Sequence, residues 1–337
     1  MWQKIKFLLA YMVLVIFPGP SVFGQDAKLV EAAKKEGGKV VVYGSIENDT
    51  VDAIGKAFQK KTGLEVNYWR ASSTKVMDRA LSEYRAGKPL FDVVLTIDNA
   101  MQIMQKEGIF AKYDSPTAKD FPKDAIDPNL GPRYRNTPIG IVYHKGVMRP
   151  ADAPKSLEDL PKPQYRGKLV MPDPTQHTTT IQWLVSLERI MGKEKADKFI
   201  RDLAATKPIL VESLTPSGER VTTGETPIAI TFLKNVVIHG QKGVPLDYVR
   251  LGKFLGDGHY VALGNRASRP NVGKAFIDFF LDDESMNIMA KVGEFVNRKG
   301  VYPPLPDADK IQLLEMVQLD KKGFAEKMKE YQKIFFR

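Results

Sequence analysis

Residues 39–58 combine an apolar run, a short polar loop and a helical stripe, and they predict the first strand and helix of the fold. Residues 40–42 are three consecutive valines, which is typical of a parallel strand buried on both faces. Asn48, Asp49 and Thr50 can cap the helix that follows. Because ligands of open α/β sheets bind where a strand passes into the next helix, this loop is the first candidate binding segment.

The same strand, polar loop and helix pattern occurs twice more before residue 110. Residues 64–69 and 91–95 predict strands, and residues 96–99 predict a polar loop before a third helix. The order βαβαβ with short connections predicts a parallel, doubly wound sheet of the α/β class. The polar residues that we expect on its ligand-facing wall are Ser45, Glu47, Ser73, Thr96, Asp98 and Asn99.

Later apolar runs predict the strands of a second lobe, at residues 138–143, 168–171 and 227–230, with Thr137 directly before the first run. Residues 173–180 lie between a strand and a helix and form the strongest polar cluster in the chain. They either bind a ligand or cap the helix, and the sequence leaves both interpretations open. The candidate ligand residues in this cluster are Thr175, Gln176, His177 and Thr178.

The last third of the chain is expected to return across the two lobes. Residues 244–249 and 259–263 predict strands for this crossing, and residues 256–258, Gly-Asp-Gly, predict a turn between them. Four large apolar residues between positions 324 and 335 recur at helical spacing. They predict a terminal helix that docks on the second lobe.

The N-terminal residues have the pattern of a secretory signal peptide. Lys4 and Lys6 precede an apolar run at residues 7–17, and residues 22–24 resemble a cleavage site. The run is shorter than the roughly 20 apolar residues that span a bilayer. We therefore predict a signal peptide at residues 1–24 and export of the mature chain, with an uncleaved anchor as the alternative.

Charge and cysteine content narrow the possible functions. The chain has a formal net charge of +10, and loss of Lys4 and Lys6 with the signal peptide would lower it to +8. The excess positive charge is spread along the chain. Nucleic-acid binding needs a concentrated basic surface, so this distribution does not favour it. Lys234 lies at an apolar strand-to-helix junction, where it could bind an anion or extend to solvent. Cysteine is absent from the sequence, which excludes disulfides and thiol chemistry.

The sequence contains no convincing catalytic constellation. Residues 72–75 match S-x-x-K and residues 61–63 match K-T-G, the motifs of β-lactamases and penicillin-binding proteins. The two motifs occur in the wrong order and without S-D-N between them, so a helix cap and a helix end explain them better. G-x-S-x-G is also missing, and the four histidines do not form a metal motif. We predict a binding protein without a cofactor.

Several segments together resemble the periplasmic solute-binding proteins of ABC importers, specifically the family that includes ferric-iron-binding proteins. The segments are residues 40–66, 91–113, 140–146, 165–174 and 269–284. The resemblance implies a type II periplasmic binding protein fold, with two lobes that each contain a mostly parallel sheet flanked by helices and are joined by a β hinge. The implied division is residues 25–136 and 262–300 for lobe 1, and residues 137–261 and 301–337 for lobe 2.

The resemblance also locates the positions of the ferric ligands. The tyrosine pair of the ferric members falls at Lys234 and Asn235, their histidine at Glu47, and their acidic ligand near residues 96–98. A lysine in place of phenolates removes anionic oxygen ligands and adds a positive charge. We therefore expect a small organic anion as the ligand; the alternative is ferric iron or an iron chelate, held by Glu47, Asp98, Tyr43 and Tyr143.

The implied partners are this small-molecule ligand and the permease of an ABC transporter, and the implied compartment is the periplasm. The protein is expected to act as a monomer and to close on its ligand. A sensor subunit that presents a ligand to a membrane receptor would have the same sequence features. Neighbouring genes for a permease and an ATPase would distinguish import from sensing.

Overall fold

The computed structural model describes residues 23–336, which form an α/β fold. The helices are α1 (Phe23–Lys35), α2 (Asn48–Thr62), α3 (Ser73–Arg85), α4 (Asp98–Lys106), α5 (Thr178–Ser186), α6 (Glu188–Met191), α7 (Lys193–Ala205), α8 (Leu214–Thr222), α9 (Lys234–Gly240), α10 (Pro270–Phe280), α11 (Asp283–Lys291) and α12 (Lys321–Phe335). The strands are β1 (Lys39–Gly44), β2 (Glu65–Arg70), β3 (Val93–Ile97), β4 (Phe110–Ala111), β5 (Ile126–Asp127), β6 (Gly131–Pro132), β7 (Arg135–His144), β8 (Leu169–Pro172), β9 (Ile209–Val211), β10 (Ile228–Phe232), β11 (Leu246–Tyr248), β12 (Lys253–Gly264), β13 (Phe295–Val296) and β14 (Gln312–Glu315).

The main sheet has two wings of parallel strands, the first β2-β1-β3 and the second β10-β8-β9, on either side of an antiparallel centre. Its strand order is β2-β1-β3-β12-β7-β10-β8-β9. The pairs β2–β1 and β1–β3 are parallel, as are β10–β8 and β8–β9. The long strands β12 and β7 pair with each other in antiparallel fashion and join the two wings. This arrangement confirms the predicted α/β class with two parallel units joined by a β hinge.

The buried apolar residues form four clusters. Two of them draw their residues from 33–134 and 260–301, and the other two from 139–255 and 295–331. The predicted lobe boundaries stay a prediction. The terminal helix α12 packs on the second pair of clusters through Tyr331, which is almost fully buried, with Phe324 and Phe335 partly buried beside it. Met328, which was expected on the same stripe, is exposed.

The predicted turn at residues 256–258 is wrong, because these residues lie inside the continuous strand β12. A Cβ atom on Gly256 would lie 2.6 Å from the carbonyl oxygen of Thr137 on β7. A Cβ atom on Gly258 would lie 2.3 Å from Cδ of Arg133. Gly256 therefore allows close approach of the hinge strands, and Gly258 leaves room for the Arg133 side chain; close backbone approach is a recognised role of glycine within a strand.

Two other local predictions need correction. Helix α2 begins directly after Glu47, so Glu47 occupies the N-cap position in place of Asn48, Asp49 or Thr50, and its side chain forms no cap hydrogen bond. Residues 96–99 do not form a loop, because Thr96 belongs to β3 and the following helix begins at Asp98.

The predicted n-region and apolar run of the signal peptide lie outside the described residues, as does Val22 of the predicted cleavage site. Within residues 23–336, none of the helices is both long and apolar enough to cross a membrane.

Candidate functional site

Lys234 forms an ion pair that links the two parallel wings of the sheet. It is the first residue of α9 and follows β10 closely. Its Nζ atom lies 3.0 Å from Oε1 of Glu47 at the start of α2, and 3.1 Å from Oε1 of Glu294. The lysine side chain is only 17% exposed. The ammonium group is therefore held between two carboxylates and does not extend freely to solvent.

Glu47 is the accessible member of this group, with a side chain that is 53% exposed. Burial favours the neutral carboxyl, but the charges of Lys234 and Arg135 outweigh it and lower the pKa of Glu47 to about 2. Glu47 is therefore a carboxylate at every physiological pH.

Glu294 and Arg135 form a buried ion pair beneath Lys234. Their side chains are 4% and 3% exposed, and Nη1 of Arg135 lies 2.8 Å from Oε1 of Glu294. Arg135 begins β7, where it pairs in register with His259 of β12. Burial, followed by the charges of Arg135 and Lys234, lowers the pKa of His259 well below its ordinary value. His259 is therefore neutral, and its buried Nδ1 atom has no hydrogen-bond partner among the described residues.

A second polar group contains Asp98, Arg133, Asp257 and Glu315. Arg133 forms an ion pair with Glu315 at the end of β14. Asp98 is buried at the start of α4 and accepts a hydrogen bond of 3.2 Å from Nε2 of Gln102. Burial, followed by the charges of Asp98 and Glu315, raises the pKa of Asp257 to about 7. This group has more acidic than basic side chains, so it does not favour an anion.

The raised pKa of Asp257 predicts a pH dependence of stability. Between about pH 4 and pH 7 the folded state holds a proton that the unfolded state has released. The free energy of unfolding should therefore fall as pH rises through this window, relative to that of Asp257→Asn. The fall is at most about 1.4 kcal/mol per pH unit and ends above about pH 7. Urea titrations of both proteins at several pH values would measure it, and a difference that does not change with pH would contradict it.

The polar cluster of the second wing is largely satisfied by its own hydrogen bonds. Oδ1 of Asp173 accepts bonds from the amide (2.8 Å) and hydroxyl (2.7 Å) of Thr175, and Oδ2 accepts one of 2.9 Å from Nε2 of Gln176. His177 is the N-cap residue of α5, and its Nδ1 atom accepts a 3.3 Å bond from the amide of Thr180. Thr178 is exposed in the first turn of this helix. These contacts support the capping interpretation, and a ligand role for the cluster stays a prediction.

The remaining predicted site residues lie at or near the ends of strands and helices of both wings. The hydroxyls of Ser45 and Thr96 are 2.9 Å apart at the ends of β1 and β3. Thr137 lies in β7, and its hydroxyl donates a 3.4 Å bond to the carbonyl oxygen of Asp257. Ser73 and Asn99 are partly buried in the first turns of α3 and α4.

The comparison with known families decides which class of protein this chain belongs to. A family model described as bacterial extracellular solute-binding protein matches residues 39–293, which is more than half of the chain. The chain belongs to this family.

Individual relatives agree with this assignment. A probable ABC transporter periplasmic-binding protein of Sinorhizobium fredii is 27% identical over 272 residues, which are 74% of this chain and 70% of that protein. The solved structure of iron-bound HitA from Pseudomonas aeruginosa has a TM-score of 0.66 and 20% identity, and the match covers 88% of this chain and 99% of that chain.

A second solved structure is a periplasmic binding protein from Actinobacillus pleuropneumoniae with exogenous fructose-6-phosphate bound. It has a TM-score of 0.65 and 19% identity, and the match covers 88% of this chain and 96% of that chain. At these identities the two structures show the fold alone. The fold is that of the type II periplasmic binding proteins, and the chain belongs to a family of solute-binding receptors, which are not enzymes.

The residues considered for iron have separate partners in this solute-binding protein. The hydroxyl of Tyr43 donates a 2.9 Å bond to Glu83, and that of Tyr143 donates a 3.1 Å bond to Asp247. Burial, followed by Asp247, raises the pKa of Tyr143 to about 12, so its phenolate is disfavoured. Glu47 contacts Lys234, whereas Asp98 belongs to the second polar group. Among residues 23–336, no group of three or more His, Cys, Asp or Glu side chains is placed to hold a metal ion.

Sequence reasoning missed the residues beneath Lys234, namely Arg135, His259 and Glu294. His259 is a polar residue at a position predicted to lie in a strand and found buried, and that mismatch is a signal that the sequence does contain. Arg135 precedes the predicted strand at residues 138–143, so its burial is visible only in the structure. Glu294 lies in a short connection between α11 and β13, and no motif distinguishes it from a surface glutamate.

Proposed function

We propose that this receptor captures a small organic anion between its two lobes, with Lys234 as the main anchor. The observation that carries the proposal is the position of Lys234, which reaches Glu47 across the cleft while Glu294 holds it from the buried side. A carboxylate, that of Glu47, already occupies the place where a ligand anion would sit. An incoming carboxylate or phosphate can take this place with a charge-assisted hydrogen bond.

The two carboxylates differ in how easily they can be displaced. Glu294 is 4% exposed and pairs with both Arg135 and Lys234, so moving it would leave the buried Arg135 without its ion-pair partner. Glu47 is half exposed, so its contact with Lys234 can open without moving a buried side chain. A ligand anion should therefore replace Glu47 and leave Glu294 in place.

The proposed mechanism is a shift between open and closed arrangements of two lobes, residues 25–136 with 262–300 and residues 137–261 with 301–337. A ligand that contacts both walls binds the closed form better and increases its population. The proposed contacts on the first wall are Ser45, Thr96 and Asn99, and those on the second wall are Thr175, Thr178 and Lys234.

A thermal unfolding screen with and without Lys234→Gln would test the proposal. We expect organic phosphates or carboxylates, at a concentration of 100 times Kd, to stabilise the wild type by about 2.7 kcal/mol. This stabilisation should raise its melting temperature by a few degrees. The variant should lose this shift, because its side chain has no positive charge.

Lys198→Gln is the matched control, since Lys198 pairs only with the nearby Asp202 on an exposed face of α7. The panel also includes sugars, polyamines, and ferric iron with and without citrate. A shift with ferric iron alone, unchanged in Lys234→Gln, would overturn the anion proposal in favour of the iron alternative.

A further inference from the structure

The charged residues around Lys234 balance to zero. Lys234 and Arg135 contribute two positive charges, and Glu47 and Glu294 contribute two negative charges, within a chain of continuous ion pairs. His259 lies beside them and is neutral. A ligand that carries only a negative charge would therefore disturb a balanced group.

Glu47 is the residue that would lose its ion-pair partner when such a ligand binds. When a ligand anion takes its place at Lys234, the carboxylate of Glu47 remains at the rim of the same cleft without a partner. Its side chain forms no cap hydrogen bond with α2 that could hold it elsewhere. In a cleft that closes and excludes water, an unpaired carboxylate next to a ligand anion is repelled and poorly solvated.

We propose that the ligand is a small zwitterion, whose anionic group binds Lys234 and whose ammonium group binds Glu47. This inference rests on the proposed function and names the ligand class more closely. The ligand then replaces one ion pair across the cleft with two, and the group stays neutral. Nζ of Lys234 and Oε1 of Glu47 lie 3.0 Å apart, so a ligand that binds both needs its two charges only a few bonds apart.

The unpartnered atom of His259 gives independent support for a bound polar molecule. His259 is 5% exposed and lies in register with Arg135, which directly contacts Glu294. Buried polar atoms are nearly always hydrogen-bonded, and Nδ1 of His259 has no partner among the described residues, so it is available to a ligand group or an ordered water.

Matched ligand pairs would test the inference by calorimetry on the mature protein. The pairs are β-alanine with propionate and taurine with ethanesulfonate, and the members of each pair differ only in the amino group. We expect the amino member of at least one pair to bind ten times more tightly or better. Glu47→Gln should remove that preference and leave the binding of the plain anion the same or stronger, whereas Glu47→Asp should keep the preference.

The two proposals fail in different ways. The zwitterion inference alone would be wrong if both members of each pair bound equally, Glu47→Gln left that binding unchanged, and Lys234→Gln still abolished it. Absence of binding by every member, or binding that Lys234→Gln does not weaken, would overturn the proposed function as well. Thermal unfolding of each variant without ligand shows that it is folded.

Discussion

Glu294→Gln should lower the free energy of unfolding by about 3 kcal/mol, because it removes a buried negative charge that forms ion pairs with both Arg135 and Lys234. The glutamine has nearly the same shape, so the loss would come from charge and not from a cavity. Arg135 would be left as a buried cation without its carboxylate. Breaking a buried pair in this way is far more destabilising than breaking an exposed one.

Glu65→Gln is the control for this prediction. Glu65 also forms an ion pair, with Lys39 at 3.3 Å, but both side chains are about half exposed. Its loss should change stability by no more than about 1 kcal/mol. Urea unfolding of the two variants measures the contrast, and equal effects would mean that Glu294 is solvated in the folded protein.

Gly256→Ala should lower the free energy of unfolding by at least about 2 kcal/mol, because it forces apart the hinge strands β7 and β12. The added methyl group would lie 2.6 Å from the carbonyl oxygen of Thr137 and 2.9 Å from Cα of Pro138. Both are backbone atoms, so the clash can be relieved only by moving a strand. Ligand affinity should fall too, since this strand pair sets how the two parallel wings face each other.

Two other glycines make a graded series with Gly256. Gly258→Ala would meet the Cδ atom of Arg133 at 2.3 Å, but a side chain can move, so we expect a smaller loss. Gly240→Ala has no heavy atom within 4 Å of the new methyl group and lies in helix α9, where alanine is favoured. If Gly256→Ala were as stable as Gly240→Ala, the strands would not be as closely apposed as the structure shows.

The sequence determined much of the local structure of the wings. The valine run at residues 40–42 correctly predicted a buried strand, and Gly63 ends α2 in a left-handed conformation as expected. Ser72 caps α3, as the helix-cap interpretation of residues 72–75 predicted. These features depend on residues close together in the chain, whose spacing and capping chemistry are visible without the tertiary structure.

The same local reasoning failed where the backbone conformation depends on a distant strand. Gly-Asp-Gly at residues 256–258 has the composition of a turn, yet it lies within β12 because it pairs with residues 136–138 of β7, and Gly256 leaves room for the β7 backbone. Glu47 was expected to precede a cap formed by its neighbours, but it occupies the N-cap position itself and turns its carboxylate towards Lys234.

The sequence alone determined the two parallel units, the resemblance to solute-binding proteins, and the choice of Lys234 and Glu47 as candidates. Only the tertiary structure showed that these two residues form one ion pair and that Glu294 and Arg135 lie beneath it. The physical reason is that hydrophobic periodicity reports which side of an element is buried. It does not report which helix ends face each other across a hinge, and the charge balance of the cleft depends on that pairing.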